Sequence, residues 1–218
     1  MKKQYKFTLS LLAVAAVIAG CASVPGPVDL DKLTADIVKA SFRDEGIVKA
    51  SVLETDETNR ACSAVDVAGT PLDDETASRL QAVNLKSIQW PSDGKFIGDW
   101  QEGEKLAQSG RGLTYSDDAS TPNGGNCYNC HQIDKKEISF GTIGPSLYNY
   151  GKLRGISDDP NSAASRAIIE YTWGKIWNAK AYNACSNMPR AGHMKIMTEA
   201  QVRHLVALLV DPKSAVNQ

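Results

Sequence analysis

Apolar side chains recur at helical spacing in several stretches of this chain. The sharpest stripe comes last, where Val202, Leu205, Val206 and Leu209 share one face. Thr198 and Gln201 occupy the positions of a capping box ahead of it, and Pro212 stops it. Ile169, Trp173, Ile176 and Trp177 predict a helix over residues 166–178. Phe96, Trp100, Gly103 and Ala107 fall at i, i+4, i+7 and i+11, which predicts a helix ended by Gly110. A glycine inside that helix costs about 1 kcal/mol against alanine, and Gly103 would let another backbone cross closely. Leu30, Leu33 and Ile37 predict a helix from Asp29 to Phe42, and residues 73–85 suggest another. The rest of 43–90 is polar and weakly periodic. No stretch alternates as a strand does, so the expected fold is all-α, with long connecting loops.

The beginning of the chain has a different character. Lys2, Lys3 and Lys6 precede an apolar run from Phe7 to Ala19, broken only by Thr8 and Ser10. This is the layout of a secretory signal peptide over residues 1–20, too short for a permanent membrane span. It closes on Ile18-Ala19-Gly20-Cys21, which resembles the lipobox of bacterial lipoproteins. There Cys21 would become the lipidated N-terminus of a periplasmic, membrane-anchored protein. Cleavage by the ordinary signal peptidase, leaving a soluble chain, is the alternative. Residues 22–28 read as a short tether.

Charge adds little. The 24 basic and 25 acidic residues nearly cancel, and no basic stripe points to nucleic acid. Residues 21–90 lean acidic and 151–218 lean basic, which ordinary solvated surface explains.

Cysteine usage changes the picture. The five cysteines are Cys21, Cys62, Cys127, Cys130 and Cys185. Cys127-Tyr128-Asn129-Cys130-His131 is the CxxCH pattern of covalent haem attachment. Two thiols three positions apart can bond the two vinyl groups on one haem edge, and the next residue, His131, can then reach the iron. A dithiol redox pair would sit near a βαβ unit, and none is visible. A zinc site would want further ligands. Cys62 and Cys185 remain, and export favours their pairing over two free thiols. A disulfide across so long a loop stabilises by about 3–5 kcal/mol in the chain-entropy model. A haem also answers the objection that long loops fit poorly in a small helical fold, because loops can wrap it.

The iron needs a second axial ligand. His204 lies in the last helix, where a polar surface position accounts for it. Met197 precedes the Thr198 cap and can staple onto Val202. Met188, His193 and Met194 remain, in that order of preference, Met188 being followed by the stiff Pro189. Met–His ligation would raise the potential relative to His–His and suits electron transfer.

Several motifs together are similar to one family. Residues 93–95 through 110–112, the segment Gly124-Gly125-Asn126-Cys127-Tyr128-Asn129-Cys130-His131, Gly141-Thr142-Ile143-Gly144-Pro145-Ser146-Leu147, Cys185-Ser186-Asn187-Met188-Pro189-Arg190 and the tail from Thr198 to Leu209 resemble SoxX. That family is the monohaem subunit of the SoxXA complex of sulfur-oxidising bacteria. The resemblance runs from about residue 40 onward. It implies a class I cytochrome c-like helical domain around one covalent haem c, with an N-terminal extension. It also implies His131 and Met188 as iron ligands, and a Pro145 carbonyl that orients the imidazole. The domain plan is then a signal peptide (1–20), an extension packed on the core (21–90), the cytochrome c domain (91–212) and a C-terminal tail (213–218).

Functionally, the resemblance implies the electron-accepting subunit of an L-cysteine S-thiosulfotransferase. That enzyme joins thiosulfate oxidatively to a cysteine of the SoxYZ carrier, with the bond-forming site on a SoxA-type partner. A soluble cytochrome c would take the electrons onward. The sequence departs from the family at Ala191, where an aromatic is expected, and at Lys195, where a glycine is expected. A free-standing or membrane-anchored electron-transfer cytochrome unrelated to sulfur is the other reading. The extension, the disulfide and the lipid anchor favour a subunit over a free shuttle.

Overall fold

The computed structural model describes residues 28–218, so the signal peptide, Cys21 and most of the tether lie outside the described residues. Residues up to Arg43 and residues 44–218 form separate units, and each is taken by itself. In the first, helix α1 spans Leu30–Ser41. The Asp29 carboxylate caps it by accepting the Lys32 amide at 3.0 Å.

The second unit holds the rest. Among the described residues there is no strand, only an isolated bridge between Glu45 and Val48. Helix α2 (Glu57–Ala68) starts on the Asp56 cap and ends on Gly69 at φ +66°. Helix α3 (Asp74–Lys86) starts on the Asp73 cap. Buried polar links tie both to later elements. Asn84 donates to the Thr58 hydroxyl at 2.9 Å. Asn178 donates to the Asn84 side-chain oxygen at 3.0 Å and to the Ser87 hydroxyl at 2.9 Å. The Trp173 indole donates to the Gln89 carbonyl at 2.9 Å. These amides and the indole are buried, so each bond also avoids the cost of an unpaired polar group.

The centre is built from α4 (Trp100–Gln108), α6 (Arg166–Trp177) and α7 (Glu199–Val210). Helices α4 and α7 pack on one another, and α6 packs on α7. Gly103 makes the first contact possible: a Cβ there would lie 2.1 Å from the His204 carbonyl oxygen. Helix α7 carries the expected capping box between Thr198 and Gln201 and ends at Asp211, ahead of Pro212. Val202, Leu205, Val206, Leu208 and Val210 are buried, each contributing about 1.5–3 kcal/mol on the scale of side-chain transfer. Trp173 sits at the middle, stacked on Trp177 and met edge-on by Phe96.

One helix boundary differs from expectation. Helix α4 begins at Trp100, because the Asp99 carboxylate caps the Gln101 amide at 2.8 Å, so Phe96 reaches the core from an extended segment. The division drawn at residue 90 runs inside a single unit, 44–218, and so does the one at 212. Val216 and Asn217 are fully buried. The Asn217 side chain accepts the Gly151 amide of the short helix α5 (Tyr150–Arg154) and donates to the Leu209 carbonyl, which locks the last residues onto α7. No described helix is long and apolar enough to cross a membrane.

Candidate haem site

Beyond α4 the chain doubles back on itself through backbone bonds. The Gly125 amide donates to the Leu106 carbonyl at 2.8 Å, and the Asn126 amide to the Ser109 carbonyl at 2.9 Å. Asn126 adopts φ +51°, a left-handed value that asparagine tolerates, and turns the chain into a single 3₁₀ turn, Cys127–Asn129. The Cys130 and His131 amides both donate to the Cys127 carbonyl, at 3.1 and 2.9 Å. One tight turn therefore presents Cys127, Cys130 and His131 together against the end of α4.

Neither Cys127 nor Cys130 is in a disulfide. Burial pushes the Cys127 thiol up to about 11, with its backbone hydrogen bond opposing and Cys130 adding. Among the described residues no group of three or more His, Cys, Asp or Glu is placed to hold a metal ion.

The imidazole is fixed from behind. His131 Nδ1 lies 2.7 Å from the Pro145 carbonyl oxygen, which assigns the proton to Nδ1 and leaves the Nε2 lone pair available to a metal. The loop carrying Pro145 is itself sewn to the turn. Gly141 donates to the Tyr128 carbonyl at 3.0 Å, Gly144 to the Cys130 carbonyl at 2.8 Å and Leu147 to the Gln132 carbonyl at 2.7 Å. Only glycine fits at 144, since a Cβ would stand 2.1 Å from the His131 ring.

The candidates for the second axial position sort by environment. His204 is not a surface residue with nothing to do: its Nδ1 accepts the Asp99 amide at 2.9 Å and joins α7 to the start of α4. Met197 is buried in the core. Met194 is exposed. His193 is half-buried, and burial, then the Arg190 charge, holds its pKa below the usual imidazole value. Met188 is half-buried and packs against the core.

Cys185, at the head of the methionine segment, is bonded to Cys62 of α2. Arg190, just beyond Met188, is buried and pairs with Asp56 at 2.5 Å. Burial pulls the Asp56 carboxyl upward, but the Asn59 amide and the Arg190 guanidinium outweigh it and hold it below the usual range. Nothing local to either residue in the chain points to that pair. Trp177, expected on the apolar face of its helix, has a buried indole N–H with no acceptor among the described residues.

A family model for cytochrome c matches residues 100–211. The chain belongs to the cytochrome c family. It binds haem c covalently, with iron, and the described residues suit that group. Two cysteines on one turn followed directly by an imidazole whose Nδ1 is engaged are what the CxxCH pattern needs, and the buried Trp177 indole N–H is left with a hydrogen bond to give. When bound, the haem iron supplies a one-electron couple, and the protein supplies the ligands and surroundings that tune it. An uncharacterized lipoprotein of Aquifex aeolicus (strain VF5) is 32% identical over 223 residues, an alignment that spans the whole of both chains.

Proposed function

We propose that this cytochrome is the electron-accepting monohaem subunit of a SoxXA-type complex, with His131 and Met188 as axial ligands. In that reaction a carrier cysteine thiol and thiosulfate join through a new S–S bond, the thiol proton is released, and an electron pair leaves. The bond forms on a SoxA-type partner, and this chain takes the electrons one at a time toward a soluble cytochrome c. The observation that carries the reading is where the family-like motifs fall. GGNCYNCH forms the haem turn, GTIGPSL holds the imidazole, and CSNMPR is the segment bonded to α2. Motifs at the three places that set the haem environment are more specific than CxxCH alone.

Lipidation of Cys21 and an extracytoplasmic location rest on the lipobox and on the lipoprotein relative. Those same two observations favour the second reading, a membrane-anchored electron-transfer cytochrome outside sulfur metabolism.

A native pull-down of the tagged mature chain from thiosulfate-grown cells separates the readings. A second haem protein at equal stoichiometry, and haem reduction by thiosulfate plus carrier, is the expected result. A lone monohaem chain inert to thiosulfate would leave the second reading standing.

A further inference from the structure

Helix α2 grips the methionine segment at two points. Its N-cap, Asp56, pairs with Arg190, and Cys62 in its body is bonded to Cys185. Met188 lies between the two fastenings, three residues after one and two before the other. Its own backbone tie is weak, an amide donating to the Ser186 hydroxyl at 3.3 Å. Immediately beyond Arg190 the chain is docked on α6, where the Ala191 amide donates to the Ile176 carbonyl.

The two fastenings differ in kind. The disulfide holds whatever the loop does. The ion pair holds only while both charges are present. Arg190 is 8% exposed, so its guanidinium depends on the Asp56 carboxylate for a counter-charge. Lys180, also buried, adds a second positive charge beside the pair and donates to the Ala184 carbonyl at 3.1 Å. With Asp56 neutral, two cations would face each other in a partly dry site, and the relief open to Arg190 is to swing toward water. Pro189 stands between Arg190 and Met188, and its ring removes one backbone rotation from the link. With Arg190 released, Met188 would keep only the Cys185 fastening and its long bond to Ser186.

We infer that Asp56 is a positioning residue: by holding Arg190 it keeps the Met188 thioether at the iron. The inference rests on Met188 being the axial ligand, as proposed above. It gives the segment 44–90 a task in the redox chemistry, although no residue of that segment is proposed to touch the haem.

The test uses the full-length holoprotein produced with its own signal sequence. Asp56→Asn removes the charge and keeps the helix cap, since Asn caps as well as Asp. Imidazole is titrated into the ferric protein while the red charge-transfer absorption of methionine-ligated haem is followed. The expected result is an apparent imidazole affinity tighter by about ten-fold, because the closed, methionine-ligated population falls. A lowered reduction potential accompanies it. Arg190→Gln gives the same displacement, and it carries the test if Asp56→Asn accumulates poorly. In a Met188→Ala background, Asp56→Asn adds nothing further, as expected of a residue acting through Met188.

Unchanged imidazole affinity in Asp56→Asn, with Met188→Ala clearly tightened, overturns the positioning role and leaves Met188 as ligand. The same tightening by Asp56→Asn in both backgrounds overturns it too. If Met188→Ala leaves both the red band and the imidazole affinity as in the parent, the ligand assignment itself falls and takes the positioning role with it.

Discussion

Between Ser109 and Leu147 the chain buries a single apolar side chain, Ile133, and keeps its course through backbone hydrogen bonds. Between Ile169 and Val216 it buries Ile169, Trp173, Ile176, Trp177, and in α7 Val202 and the run from Leu205 to Val210. The first region is where the haem thiols and the imidazole sit; the second is a packed helical wall. The contrast shows how labour is divided. The wall takes its order from apolar burial. The haem loop has almost no core of its own, so its order must come from the turn at Cys127, the bond from His131 to Pro145 and the covalent bonds to haem.

Each side of that contrast can be broken separately. The largest effect is expected from Cys127→Ser with Cys130→Ser. Covalent haem disappears, which haem staining of a denaturing gel reads directly. Amide exchange then speeds up across 109–147 while α6 and α7 stay protected. Equal loss of protection in both regions would mean the wall also depends on the cofactor. Next is Trp173→Ala, which should cost about 3–5 kcal/mol in denaturant unfolding, because the ring it removes is fully buried. A smaller cost would show that the wall can collapse onto the cavity. Gly103→Ala pushes a methyl group into the His204 carbonyl and should cost about 1–3 kcal/mol, with helix content kept. Thr198→Ala is the mildest. It removes the α7 cap and should lower stability by about 1 kcal/mol, visible as a small drop in the unfolding midpoint with an unchanged haem spectrum.

The wall was legible in the sequence, and for a physical reason. Helix α7 is specified by neighbours in the chain: Thr198 and Gln201 close the cap, the Val202–Leu209 stripe repeats at helical period, and Pro212 follows. The haem turn was legible because its chemistry demands consecutive residues. What escaped were features made by distant partners. Helix α2 buries only Thr58, so it leaves no apolar stripe to read; its attachments are a disulfide and an ion pair. His204 looked like a surface residue until Asp99, 105 positions away, supplied the amide it accepts. The C-terminal residues 213–218 looked like a tail because Ser214 and Asn217 are polar, yet both are buried in hydrogen bonds. Lys195 shows the reverse. A glycine was expected there, and the backbone adopts φ +56°, the left-handed region glycine favours, with a lysine in place.

The stacked indoles at the middle of the wall have an optical consequence. Trp173 and Trp177 lie 5.6 Å apart between centroids and only 15° from parallel. Two indoles held rigidly in such close contact sit in a fixed asymmetric environment, so their near-ultraviolet circular dichroism should be present while α6 is packed and be lost when that packing is lost. Trp90, 44% exposed, lies outside that stack and will emit as a more solvated fluorophore. The molecule thus carries a built-in reporter of whether α6 is packed, readable without any label and independent of the Soret band.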